Sequence, residues 1–239
     1  MPSQVVTTTK GSGQATELDP SGATLSKREE AERRLIRQVW SRCHGFVAEA
    51  CRYSSVPAMF LGALTANESG GDPGATRFEP AVYAHLKAIA EARSAGFGAI
   101  RAANLAAELA DMRPPKAPTF HALFLDAPFA AEHAAALAHA EDAALRDLAT
   151  SWSFTQIMGY HMVGRPGTAR DLLRPALHYR VALNLLAQFA ASYQLDVTCE
   201  FAEMFRCWNT GRPDGQTFDP KFVEKGLRRM ELYGALAVA

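Results

Sequence analysis

The sequence predicts a mainly α protein, and three observations carry that prediction. Apolar residues recur at spacings of three and four through most of the chain, which is the period of a helix with one buried face. No alternating run of useful length marks a half-buried strand. Most prolines, and the Gly70-Gly71 pair, fall between the periodic stretches, where they act as stops.

Order begins near Lys27. From Glu29 to Arg52 the chain is charged at first and then carries Leu35, Ile36, Val39, Phe46 and Val47 on one helical face. Ser54 or Ser55 is placed to cap a second helix, with Pro57 in its first turn. That helix runs through Met59, Phe60, Leu61, Ala63 and Leu64 and stops at Gly70-Gly71. Residues 71–80 read as a polar loop, with room for two short strands around Thr76–Tyr83. Residues 81–112 read as helical, from Val82 and Leu86 to Leu105 and Leu109, and Pro114, Pro115 and Pro118 end them. The Ala-rich stretch 120–149 predicts two short helices. Residues 151–168 hold aromatics, Gly and Pro and read as a loop with at most a short helix. Leu173, Leu177, Val181, Leu185 and Phe189 then predict a helix from Arg170 to Tyr193. Another is expected from Val197 to Cys207, a loop from Asn209 to Asp219, and a last helix from Lys221 to Tyr233 opened by Pro220. Residues 1–25, rich in Ser, Thr and Gly, read as a flexible extension of a single domain spanning 26–239.

Composition narrows the function classes. With 48% hydrophobic and 21% charged residues, the chain has the make-up of a folded globular domain and is not disordered throughout. No run of about 18 apolar, charge-free residues is present, so no membrane span is expected. Lys plus Arg and Asp plus Glu number 25 each, which leaves no general basic attraction for nucleic acid. Cys43, Cys51, Cys199 and Cys207 form no C-x-x-C pair and read as buried thiols, with a disulfide open if the protein works outside the cytoplasm. None of the seven histidines pairs at the spacing of metal ligands on one helix, so no metal site is expected. A phosphate-binding glycine loop and a G-x-S-x-G nucleophile elbow are both missing. Met1 to Leu25 lacks the apolar core of an export signal.

Four segments carry candidate chemistry. Glu68, in Ala66-Asn67-Glu68-Ser69-Gly70-Gly71, falls in the last turn of an apolar helix. The negative end of the helix dipole and apolar neighbours both disfavour a carboxylate, so its pKa should rise. A carboxyl protonated near neutral pH is a general acid, which is what glycosidic cleavage needs at the leaving oxygen. The bland alternative is an exposed Glu at a frayed helix end. The Asn67-Glu68-Ser69 match to a glycosylation sequon reads as accidental, since a glycan there would block the acid. Arg77 and Glu79, in Arg77-Phe78-Glu79-Pro80, share a side-chain direction if the segment is extended. Glu79 is then either a base or stabiliser of an oxocarbenium ion, or half of a structural ion pair. Residues 149–161 combine aromatic faces, hydroxyls and the Gln156 amide, and Cys207-Trp208-Asn209-Thr210 adds a stacking face and an amide. Sugars are bound by such combinations, which also occur in ordinary cores and turns.

Together these segments resemble the lysozyme superfamily, and most closely its lytic transglycosylase branch. That family carries Glu-Ser, then Gly-Leu-Met-Gln, then Ala-Tyr-Asn. Here they correspond to Glu68-Ser69, Ser153-Phe154-Thr155-Gln156 and Cys207-Trp208-Asn209. Glu-Ser-Gly-Gly, Arg-Phe-Glu-Pro, Ser-Trp-x-x-x-Gln-Ile-Met-Gly-Tyr and Trp-Asn-Thr-Gly also resemble phage-type and bacterial muramidase-like domains. The resemblance covers about residues 55–235. It implies a mainly α, lysozyme-like fold with a helical insertion, roughly residues 84–148, between the Glu-Ser and Gln motifs. It implies Glu68 as the catalytic acid acting on peptidoglycan glycan strands, Ser69 orienting the carboxyl or the sugar, Gln156 binding substrate, and Trp208 and Asn209 lining the cleft. Arg77 and Tyr160 join the expected substrate-binding set, and no cofactor is implied. Ser153 and Trp208 depart from the family's Gly and Tyr. Tyr160 or Tyr83 is the candidate to replace the missing phenol.

Two rivals stay open beside the transglycosylase: a hydrolytic muramidase or chitin-type hydrolase with Glu79 as second carboxylate, and a non-catalytic glycan-binding module. Action on the cell wall, periplasmic or extracellular, is expected. With no cationic pull toward it, targeting would come from an envelope, phage-particle or secretion-apparatus partner.

Overall fold

At the centre lies a short helix that is apolar on every side. The computed structural model describes residues 26–112 and 127–238, with side chains for 26–110 and 138–238. The expected extension at 1–25 lies outside the described residues. Helix α1 (Lys27–Cys51) starts at Ser26, whose hydroxyl accepts from Glu29 N–H while the Glu29 carboxylate accepts from Ser26 N–H, a reciprocal capping box. Its buried stripe is Ile36, Val39, Cys43 and Val47. Phe46, expected on that face, is 46% exposed. Helix α2 (Ala58–Glu68) buries every residue from Phe60 to Ala66, as an all-apolar helix must. Its N-cap is Pro57, not a serine. The Ser54 hydroxyl instead accepts from Val56 N–H in the preceding turn. Gly70 and Gly71, at φ +63° and +77°, end α2, and Gly71 lies so close to Val39 that a Cβ would meet it at 3.2 Å.

The chain then makes a strand that the sequence only hinted at, and two more that it did not show. Strands β1 (Thr76–Phe78), β4 (Thr150–Trp152) and β5 (Ile157–Met158) form an antiparallel sheet in the order β1-β4-β5. Thr76 pairs with Trp152 and Phe78 with Thr150. Between β1 and β4 come α3 (Pro80–Ala90), a hairpin of β2 (Gly96–Phe97) and β3 (Ile100–Arg101), α4 (Ala102–Met112) and α5 (Ala127–Leu148). The helix expected over 81–112 is thus two helices. Ala92 turns at φ +56° and the hairpin follows. The two short helices expected over 120–149 are one helix where they are described, from Ala127 onward. The excursion leaves and returns at one point: Glu79 N–H donates to Ala149 C=O at 2.9 Å.

After β5 come 3-10 turns at Gly159–Met162 and Ala169–Leu173, then α6 (Pro175–Tyr193), α7 (Phe201–Thr210) and α8 (Phe222–Ala237). The helix expected from Arg170 is divided at Pro175, which lacks the N–H needed inside a helix but fits its first turn. Helix α7 starts later than Val197 and runs through Asn209 to a left-handed Gly211. Helices α1, α2 and α8 pack against one another, and Gly62 leaves room for the Tyr233 ring, which a Cβ would strike at 2.3 Å. The architecture is mainly α. All four cysteines are free thiols. Cys43 and Cys207 are buried, Cys51 is half-buried, and Cys199 is exposed, contrary to the expectation of four buried thiols. Among the described residues, no helix is long and apolar enough to cross a membrane.

Candidate active site

Glu68 is the last residue of α2. The residue is half-buried, but its Oε1 is fully enclosed and has no hydrogen-bond partner. Burial pushes the carboxyl up from 4.5 to about 7, against the pull of the Arg77 guanidinium. The preceding residue is fixed from the other side. Arg229 on α8 pairs with Glu32 on α1 at 2.8 Å and donates to Ala66 C=O and to Asn67 Oδ1. The bond to Ala66 satisfies a carbonyl at the end of α2 that the helix itself leaves open. Asn67 Nδ2 donates to Phe222 C=O, so both ends of this amide are engaged within the protein.

Ser69 is a strut. Its hydroxyl donates to Phe154 C=O at 2.6 Å and accepts from Gly71 N–H. It thereby pins the turn joining β4 to β5 against the end of α2. That turn, residues 153–156, is strained: Ser153 and Gln156 stand at φ +60° and +54°, where side chains with a Cβ are disfavoured. Glycine at the Ser153 position would be free of that cost. The buried Ser153 hydroxyl also has no partner.

Gln156 was expected to face substrate, yet its amide is used to close the turn. Nε2 donates to Ala75 C=O at 3.0 Å and to Ser153 C=O at 2.8 Å, and Oε1 accepts from the Ser151 hydroxyl. Trp208, expected to line a cleft, donates its Nε1–H to Thr155 C=O at 3.1 Å. Arg77 and Glu79 form an ion pair at 2.6 Å, with the arginine largely exposed. Glu79 also precedes the first turn of α3, where a negative charge is favoured. The Tyr83 hydroxyl donates to Asp142, under the Arg146 guanidinium, and is committed there.

A cavity of about 410 Å³ runs along this region. Gln156, Tyr160, Trp208 and Asn209 wall it, together with His161 and Phe189. Glu68, Ser69, Arg77 and Glu79 are not among its lining residues. The predicted residues therefore fall into two groups, one around the α2 terminus and one around the cavity. The 153–156 turn joins them, since its adjacent carbonyls at Phe154 and Thr155 receive Ser69 and Trp208. Burial holds the Tyr160 phenol above its ordinary pKa and brings the His161 imidazole down to about 4, so both are neutral at pH 7.

Sequence reasoning missed His178. It is fully buried on α6, accepts Thr155 N–H at Nε2 (3.0 Å) and meets Leu172 C=O with Nδ1 (3.1 Å). Its spacing from Val181, Ala182 and Leu185 marks an inward-facing position, but nothing in the sequence named its partner. Among the described residues, no group of three His, Cys, Asp or Glu side chains could hold a metal ion. No family model, no curated protein and no solved structure matches the chain.

Proposed function

We propose that the protein is a lytic transglycosylase that cleaves peptidoglycan glycan strands between N-acetylmuramic acid and N-acetylglucosamine. The observation that carries the reading is the state of Glu68. It is a carboxyl at the end of a buried helix, with one enclosed oxygen and a pKa near 7. Such a group is still protonated in a large fraction of molecules near neutral pH; as acid it gives its proton to the leaving oxygen, and as carboxylate it takes one from the attacking group. In this reaction the attacking group is the C6 hydroxyl of the same muramic residue. The bond from C1 to the leaving oxygen breaks, a C6–O–C1 bond forms, and a 1,6-anhydro end results without water. One carboxyl suffices for both proton transfers.

The Arg77–Glu79 pair favours this chemistry over hydrolysis. The Arg77 guanidinium occupies the Glu79 carboxylate, which an inverting hydrolase would need free to hold and activate a water. The cavity beside the turn, with its aromatic and amide walls and neutral Tyr160 and His161, suits an uncharged sugar ring. Partners at the envelope, in a phage particle or in a secretion apparatus would supply the targeting that a net-neutral chain lacks. A native pull-down that recovers none of these would remove that part of the proposal.

The test is mass spectrometry of purified peptidoglycan after digestion, with Glu68→Gln as control. Products lighter by one water than hydrated muropeptides, absent with the variant, are expected. Hydrated reducing ends would assign a muramidase and turn attention to Glu79. Binding without cleavage of intact, de-acetylated or chitin substrates would assign a glycan-binding module.

A further inference from the structure

We propose that His178 is a positioning residue for this site: from α6 it holds the 153–156 turn against the end of α2 and so keeps water from the Glu68 carboxyl. The proposal deepens the reading of Glu68 as the acid, but its central claim concerns the setting of that carboxyl and stands apart from turnover. The geometry is a buckle. Thr155 N–H donates to His178 Nε2 at 3.0 Å, and the Thr155 hydroxyl lies 2.8 Å from the same nitrogen. A nitrogen that accepts a backbone N–H carries no proton, so the ring proton is on Nδ1 and is donated to Leu172 C=O. The ring thereby ties the turn to the segment that leads into its own helix. Phe154 is clamped at the same place, edge-on to His178 at 5.6 Å and stacked on Tyr179 at 5.2 Å.

The side of the turn away from His178 carries the functional load. Phe154 C=O receives Ser69, the residue after Glu68, and Thr155 C=O receives Trp208 of the cavity wall. The turn is backbone-strained at both ends and would relax if released. Relaxation would draw Ser69 away, open the α2 terminus and hydrate Glu68. The charge that acts on Glu68 from a neighbouring element is Arg77 on β1, and it would then pull the carboxyl lower still. Among the described residues, Thr155, Phe154, Tyr179 and the Leu172 carbonyl contact His178, and these four are uncharged at neutral pH. Thr155 and His178 are both fully buried, so water cannot readily replace the bonds between them.

The experiment is a carbon-13 titration of the Glu68 carboxyl by NMR in the full chain, in wild type and in His178→Leu, His178→Gln and Thr155→Val. In His178→Leu the Glu68 midpoint is expected to fall from about 7 by about one pH unit or more. His178→Gln, which restores an acceptor for Thr155 N–H, should recover most of that shift, and Thr155→Val should lose part of it. On peptidoglycan, kcat should drop about tenfold or more in His178→Leu with KM within about twofold. A Glu68 midpoint unchanged in folded His178→Leu overturns the proposal. If that variant does not fold, His178→Phe, which also lacks an acceptor for Thr155 N–H, is read the same way, and a wild-type midpoint in it overturns the proposal. Midpoints that move as expected while wild type cleaves nothing would support the positioning role and reject the transglycosylase reading.

Discussion

Replacing Glu68 by glutamine is expected to remove activity and, above neutral pH, to make the fold more stable. A carboxyl whose pKa rises on folding from 4.5 to about 7 binds its proton more tightly in the native state. The stability it contributes is complete below pH 4.5, is lost steadily as pH rises, and is gone once pH passes about 7. At about 1.4 kcal/mol per pH unit the loss amounts to about 3 kcal/mol. The cause is the enclosed Oε1, which has no partner to offset the loss of water when it is charged. Glutamine cannot ionise and escapes that loss, although its amide inherits the same shortage of partners. The gain over wild type should therefore be near zero at about pH 4 and approach about 3 kcal/mol at about pH 8.5. Urea unfolding of both proteins at half-unit steps of pH reads the difference directly. Two stability curves that run parallel across this range would refute the reasoning, because Glu68 would then titrate like any exposed glutamate.

Three further outcomes follow from the same geometry. Cleavage of peptidoglycan should decline about tenfold per pH unit once pH exceeds about 7, as Glu68 loses its proton. A rate that holds level to about pH 9 would exclude Glu68 as the acid. Ser153→Gly should stabilise the fold by about 1 kcal/mol and raise Tm by about 2–4 °C, since it relieves a left-handed Cβ and a partnerless hydroxyl while loosening the unfolded chain. A lower Tm would show that the hydroxyl has a partner after all. Gly62→Ala should cost about 1–3 kcal/mol by pressing a methyl into the Tyr233 ring, which denaturant titration would detect. An unshifted midpoint would mean that α2 and α8 are not so close.

How much of this was legible in the sequence depends on how local the cause was. Glu68 at the end of α2 could be read because an all-apolar run and a Gly-Gly stop lie side by side. The sheet beside it could not. Its strands are two or three residues long, too short to show alternation, and Arg77 at the middle of β1 pairs with Ser151, 74 positions away. Gln156 stands out in the sequence, but the hydrogen-bond partners of its amide do not. Its amide closes a turn, and that depends on Ala75, which only the sheet register brings near. His178 gave no chemical signal, because a buried histidine on an apolar helix face looks the same whether or not a backbone N–H waits across from it. The break at Ala92 shows the opposite failure. Gly96 and Gly98 were visible in the sequence, but the helical period of the surrounding alanines masked them.

The hydrogen bond between Glu79 and Ala149 has a consequence for how this molecule could vary. Everything between those residues departs from and rejoins the same spot, like a side loop off a main road. Closing such a loop costs an entropy that grows only with the logarithm of its length, about 0.6 kcal/mol for each doubling. Variants of this chain with a longer excursion between those two residues should therefore fold at small added cost. Ser69, the 153–156 turn and the end of α2 would keep their spacing, because the pins that set it lie outside the loop.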